Sequence, residues 1–162
     1  MKKSRVAFLG LFTAFAMILS FVESQIPTFV AIPGIKLGLP NIAIIIILYR
    51  FGWKEASIIS LLRVLLTSLL FGTVLSMLYS IAGAVLSLVV MILLKKILST
   101  VTISVVGGVF HNVGQIAVAI LVTETQQLLF YLPVLIISGV IAGIVVGLVA
   151  ATAVSKIEKI EL

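Results

Sequence analysis

The sequence contains no cysteine and no aspartate. The first absence excludes disulfides, thiolate nucleophiles and cysteine-ligated metal or iron–sulfur sites. The second removes one of the two carboxylate side chains that hold hard cations. Charge of either sign is scarce: charged residues make up 10% of the chain, the acids are Glu23, Glu55, Glu124, Glu158 and Glu161, and there is one histidine, His111. A lone histidine without neighbouring thiols or carboxylates is a poor metal site. No glycine-rich phosphate loop, nucleophile elbow or metal-binding His-Glu pair occurs. The chain alone is therefore not expected to be an enzyme, and neither a cofactor nor a metal is expected in it.

What it has in abundance is apolar surface. Hydrophobic residues are 62% of the chain, with a mean hydropathy of +1.42. Soluble domains of this size are about 45–50% apolar and about 25% charged, so lipid is the expected solvent. The formal charge of +6 is spread as single or paired cations between apolar runs. No basic stripe interleaved with aromatics appears, which argues against a nucleic-acid partner. The start, Met1 to Arg5 and then an apolar run to Phe21, mimics a signal peptide but lacks a small-x-small cleavage site, so a retained first helix is expected.

A helix crossing a core of about 30 Å needs about 20 residues. That ruler predicts one membrane domain over 1–162, with helices at 6–26, 41–51, 54–71, 74–94, 102–122 and 128–153. The second is short, and the second and third together would also fit one broken re-entrant element. The cations favour six crossings with both termini inside. That arrangement puts Lys2, Lys3, Arg5, Arg50, Lys54, Lys95, Lys96, Lys156 and Lys159 on the cytoplasmic side and Lys36 alone in an outer loop. Such a skew is the positive-inside pattern. The expected fold is thus an all-α integral membrane protein, a six-helix bundle of the cell membrane. No internal repeat is evident.

Polar groups inside a bilayer are costly and usually face a cavity or a partner. Glu23 stands at the outer end of the first helix, either as an interfacial carboxylate or as a ligand contact. Arg63 is too central for easy snorkelling and shares a face with Ser60 and Thr67. It either braces helix ends, pairing with Glu23, or lines a polar cavity. His111, Asn112 and Gln115 give the fifth helix a broad donor and acceptor face, more than interhelical hydrogen bonding requires. Lys36 and Asn41 bracket the segment Pro33-Gly34-Ile35-Lys36-Leu37-Gly38-Leu39-Pro40-Asn41, which reads as a lid or as an ordinary Pro/Gly-rich loop.

Small residues form stripes at four-residue spacing: Gly139, Gly143, Gly147 and Ala151 in the last helix, Ser76, Ser80 and Ala84 in the fourth, Gly10 and Ala14 in the first. Such stripes let backbones approach closely. Packing within one bundle suffices for the fourth and sixth helices, whereas a partner membrane protein is the sharper expectation for the first.

The run Ser20-Phe21-Val22-Glu23-Ser24-Gln25-Ile26-Pro27, the PGIKLGLPN segment, Arg63 with the later LLFGT, YSIAGAVLS at 79–87 and FHNVGQ at 110–115 together resemble the Gx transporter family. That family also carries the label heptaprenyl diphosphate synthase component I, and it is similar to the substrate-binding (S) components of energy-coupling factor transporters. The likeness covers nearly the whole chain, with Pro40 standing where a small residue is usual.

The resemblance implies an S-component fold that captures a vitamin-like small molecule from outside. It implies docking on a transmembrane coupling subunit driven by two cytoplasmic ATPases, with Gly10 and Ala14 at that contact and the loop after the first helix as a gate. The expected cavity is lined by Glu23, Lys36, Asn41, Arg63, Tyr79, His111, Asn112 and Gln115, with Phe29 and Tyr79 covering an apolar body. Flavin-like, quinone-like and isoprenoid-like cargoes all stay open. Two alternatives stand beside it: a membrane subunit of a prenyl- or quinone-linked enzyme complex, and a structural homo-oligomer held by the glycine stripe of the last helix. A prenyl-diphosphate synthase itself needs paired aspartates for its magnesium, which this chain cannot supply.

Overall fold

A computed structural model describes residues 2–25 and 38–157. Among them are six α-helices, α1 (Lys2–Gln25), α2 (Asn41–Arg50), α3 (Trp53–Phe71), α4 (Val74–Leu94), α5 (Thr100–Thr123) and α6 (Leu132–Ile157), and no strand. A 3-10 turn, Gln126–Tyr131, leads into α6.

The expected boundaries of α4 agree to the residue and those of α2, α3 and α5 to within two, while α1 begins at Lys2, four residues before the expected start. The last helix differs: its first turns are 3-10, and it runs on to Ile157. Pro133 explains the first difference, because it has no N–H to close an α-type bond onto Leu129. The Leu132 N–H instead reaches the Leu129 carbonyl in the tighter register. Lys156 in the last turn suits the negative end of the helix dipole, which favours the extension.

Local chemistry sets the other ends. Thr73 and Ser76 cap α4 reciprocally, each side chain taking the other's backbone N–H. Ser99 accepts from the Thr102 N–H at the start of α5. Gly52, at φ +105, supplies the backbone that lets α2 turn directly into α3.

The exterior is apolar and the interior holds the polar groups. Leu69, Leu93, Leu121, Phe130, Ile137, Ile141 and Leu148 are among many large hydrophobics left exposed, while Ser60, Arg63, Ser87, Ser104, Asn112 and Gln115 are buried. An apolar surface of this extent belongs in lipid. Four segments are long and apolar enough to cross a membrane: Arg5–Gln25, Val74–Leu94, Thr100–Thr123 and Gln126–Ile157. This is a multi-pass membrane protein. The remaining two helices depart from that pattern, α3 because it carries Lys54, Glu55 and Arg63, and α2 because it has only 10 residues.

α2 is the centre of the bundle. It packs against α1, α3, α5 and α6, while α3–α4, α4–α5 and α5–α6 close the wall around it. Ala43 through Leu48 are buried without interruption, so α2 has no lipid face over that stretch. Its isoleucines join Ala56, Ile59, Leu88, Met91, Ile103, Val146 and Ala150 in one apolar core. The Lys95 ammonium, 3.3 Å from the Leu48 carbonyl, ties the C-terminal end of α2 to the C-terminal end of α4.

Among the described residues α1 packs on α2 and α3. At its inner end Arg5 pairs with Glu55 at 2.5 Å and lies over the Phe51 ring, which also meets Phe8. At its outer end Phe21 meets Phe71 with ring centroids 5.1 Å apart. Ala16 is its fully buried residue, and Gly10 and Ala14 are exposed.

Candidate functional site

The depth of α2 organises the site. At about 1.5 Å per residue its 10 residues rise about 15 Å, half of a hydrocarbon core of about 30 Å. Arg63 lies about 15 Å along α3 from Trp53, Gly83 about 17 Å from the inner end of α4, and His111 about 17 Å from the start of α5. All three therefore stand at the level where α2 begins. Below that level the axis is filled with isoleucine. Above the turn Gly38–Pro40 no described helix continues it.

Arg63 is 9% exposed and belongs to the interior face of α3 with Ser60 and Val64. One of its terminal nitrogens donates to the Ser20 hydroxyl of α1 at 3.3 Å, and Ser20 in turn donates to the Ala16 carbonyl. Its Nε has no hydrogen-bond partner among the described residues. Thr67, one turn outward, donates to the Arg63 carbonyl at 2.8 Å. Among the described residues the ion pair within 4 Å is Arg5–Glu55, so no described carboxylate contacts Arg63 directly. Glu23 is the acid whose field reaches it.

Glu23 has a structural task that the sequence did not announce. Its carboxylate accepts the backbone N–H of Gly38, stapling the outer end of α1 to the turn that enters α2. Gly38 sits at φ +72, and a Cβ there would lie 3.3 Å from the Asn41 amide nitrogen. Asn41 itself is half-buried as the first residue of α2. Lys36 and Phe29 lie outside the described residues.

On α5 the expected polar face divides between two neighbours. His111 and Gln115 face α4: a Cβ placed on Gly83 would come within 2.8 Å of Gln115 Cγ and 3.1 Å of His111 Cε1. Asn112 faces α6, donating from Nδ2 to the Leu135 carbonyl at 2.7 Å. Asn112 and Gln115 are buried, and Gln115 Oε1 has no hydrogen-bond partner among the described residues. Tyr79, half-buried, shares the Gly83 face of α4 one turn farther out.

Seven of the expected cavity residues are thus described, and they belong to the inner faces or outer ends of α1, α2, α3, α4 and α5. Gly10 and Ala14 stand apart on the exposed side of α1; a Cβ on Gly10 would meet nothing within 4 Å. Ser87 and Ser104 were missed. Both are buried, and Ser87 Oγ has no hydrogen-bond partner among the described residues, 3.1 Å from where a Gly107 Cβ would be. The available signal was spacing: Ser87 follows Gly83 by one turn, and Ser104 precedes His111 by two.

Taken together, these helices carry a discontinuous polar ring at one level above an apolar floor: Arg63 bonds to α1, His111 and Gln115 face α4, and Asn112 bonds to α6. It can hold an anionic or carbonyl-rich group and orient it. Neither curated proteins nor solved structures show significant similarity to the chain. A family model does match, over residues 12–153: the chain belongs to the family described as heptaprenyl diphosphate synthase component I.

Proposed function

We propose that this protein is the substrate-binding component of an energy-coupling factor type importer in the cell membrane, crossing it six times with both termini inside. It captures a small molecule from the outer side and passes it to an ATP-driven coupling module on other chains. The observation that carries this reading is Arg63, buried at the depth of the buried α5 amides Asn112 and Gln115, with Nε unpartnered among the described residues. A cation kept in such a place is costly, and a ligand with an anionic or carbonyl-rich group offsets that cost. The apolar floor and Tyr79 suit a ring or chain attached to that group.

Native mass spectrometry of protein drawn gently from its own membranes tests this directly. The expected result is one retained small molecule per chain, lost or reduced at least tenfold in Gln115→Leu, whose helicity is unchanged. A ligand-free spectrum from active membranes would sink the proposal.

The exposed small residues of α1 support docking on a transmembrane coupling subunit. Gly10→Leu is expected to leave folding and ligand retention intact, because a Cβ there has open space. Co-purification with the coupling subunit and its ATPases should be lost. Retention of that complex would remove Gly10 from the interface.

The family description favours one rival, a membrane subunit that works with a soluble prenyl-diphosphate synthase. The same preparation separates the two: a soluble synthase bound in place of a small molecule would favour the rival.

A further inference from the structure

An open groove of about 170 Å³ lies between α2 and α6 near their inner ends, lined by Ile46, Tyr49, Arg50, Val154 and Ile157. It is far from the polar ring, at the opposite end of α2. We propose that it seats the headgroup of an anionic phospholipid from the inner leaflet.

The position comes first. α1 packs on α2 and α3, and α6 packs on α5 and α2, but α1 and α6 do not pack closely on each other. At that seam Tyr49 and Arg50, the last two residues of α2, are partly exposed, while Ala43 through Leu48 stay buried. In the proposed topology, on which this inference rests, the groove lies at the inner-leaflet headgroups, at the end of α2 that Lys95 contacts.

Composition comes next. Ile46 and Val154, both buried, and Ile157 give the groove an apolar side, while the partly exposed Tyr49 and Arg50 offer a hydroxyl and a guanidinium. Arg50 already interacts with a neighbour. Its five N–H donors leave room for a phosphate as well, and the fork matches phosphate geometry. Lys95, Lys96 and Lys156 stand on the same end of the molecule, which favours an anionic headgroup over a zwitterionic one.

Size narrows the occupant. Pockets that enclose a drug-sized ligand are about 300–1,000 Å³, so this groove is too small to be a second cargo site. It suits a headgroup whose tails stay in the bilayer.

The test is native mass spectrometry of the full chain in detergent, titrated with dioleoylphosphatidylglycerol or with dioleoylphosphatidylcholine, which has the same tails. One phosphatidylglycerol adduct should bind at least fivefold more tightly than phosphatidylcholine. That preference should disappear in Arg50→Gln and in Ile157→Glu, the second placing a carboxylate on the groove wall. Lys96→Gln should keep it. Equal binding of the two lipids, an unchanged preference in both groove variants, or an equal loss in Lys96→Gln would overturn the assignment. So would displacement of the lipid by millimolar inorganic phosphate, which would mark a free-anion site. No cargo enters the measurement, so its outcome is independent of the proposed import function.

Discussion

Arg63→Met is expected to raise the melting temperature of the ligand-free protein by a few degrees while abolishing ligand retention. The two effects have separate causes. A cation held in the membrane interior costs about 2.5–3.5 kcal/mol on insertion scales. Replacing a whole buried ion pair by apolar side chains of similar volume is commonly neutral or stabilising, by about 1–4 kcal/mol, whereas removing one partner of a direct pair destabilises. Arg63 has no described carboxylate in direct contact. Given up in exchange are the longer-range attraction of Glu23 and one 3.3 Å hydrogen bond to Ser20, which is longer than the usual range and worth about 1 kcal/mol or less. The balance therefore favours methionine when no ligand is bound.

With ligand the sign reverses. Hydrogen bonds to a charged group contribute about 1.5–3 kcal/mol, so losing them weakens binding by about 10- to 150-fold. Arg63→Lys should fall between, keeping the charge but losing the planar fork. Thermal unfolding followed by the fluorescence of Trp53, with and without bound ligand, measures both effects in one series. The contrary result is informative. If Arg63 serves to brace α1 through Ser20, Arg63→Met lowers the melting temperature of the ligand-free protein and leaves ligand retention unchanged.

Much of this architecture was legible because a membrane makes hydrophobicity a length measurement. The limits of α4 follow from Thr73 and the Lys95–Lys96 pair, and both ends carry an explicit chemical stop. Asn112, Arg63 and Gln115 were legible as site candidates because amides and cations are conspicuous in apolar runs, and all three are buried. The serines were not legible. Ser87 and Ser104 are compatible with simple helix packing, so only their neighbours across the interface distinguish them from filler.

The two roles of Glu23 could not be separated by sequence either. Its partner Gly38 is 15 positions away, beyond any helical spacing rule. The division of labour on α5 was hidden for a related reason. Asn112 and Gln115 are i, i+3 neighbours on one broad face, yet one bonds to α6 and the other packs on α4. Helical periodicity gives the angle between side chains but not which neighbouring helix stands at each angle. The depth of the site depends on where α2 ends against α4, marked by the bond from Lys95 to the Leu48 carbonyl, a tertiary contact between residues 47 positions apart.

The small-residue stripes make the same point most sharply, because identical spacing on α1 and α6 leads to opposite expectations. Gly143→Leu should abolish folding of the bundle rather than dissociate an oligomer. A Cβ at Gly143 would lie 2.5 Å from Val105 Cα and 2.9 Å from the Ser104 carbonyl. A Cβ at Gly139 would lie 3.0 Å from the Gly108 backbone, and one at Gly147 2.8 Å from Val101 Cα. These neighbours are backbone, so no rotamer change relieves the clash, and α5 must move away from α6 along the whole stripe. Overpacking against flexible side chains costs about 1–3 kcal/mol; against two backbones the upper end of that range is the minimum expected. The Asn112–Leu135 hydrogen bond would go with it, taking the α5 side of the polar ring out of place. Circular dichroism and size-exclusion chromatography in detergent distinguish the outcomes. Misfolded, aggregated Gly143→Leu beside well-folded Gly10→Leu is the expected pair. A folded Gly143→Leu monomer derived from a wild-type oligomer would instead put the α6 stripe on an outer surface, and the α5–α6 packing described above would be wrong.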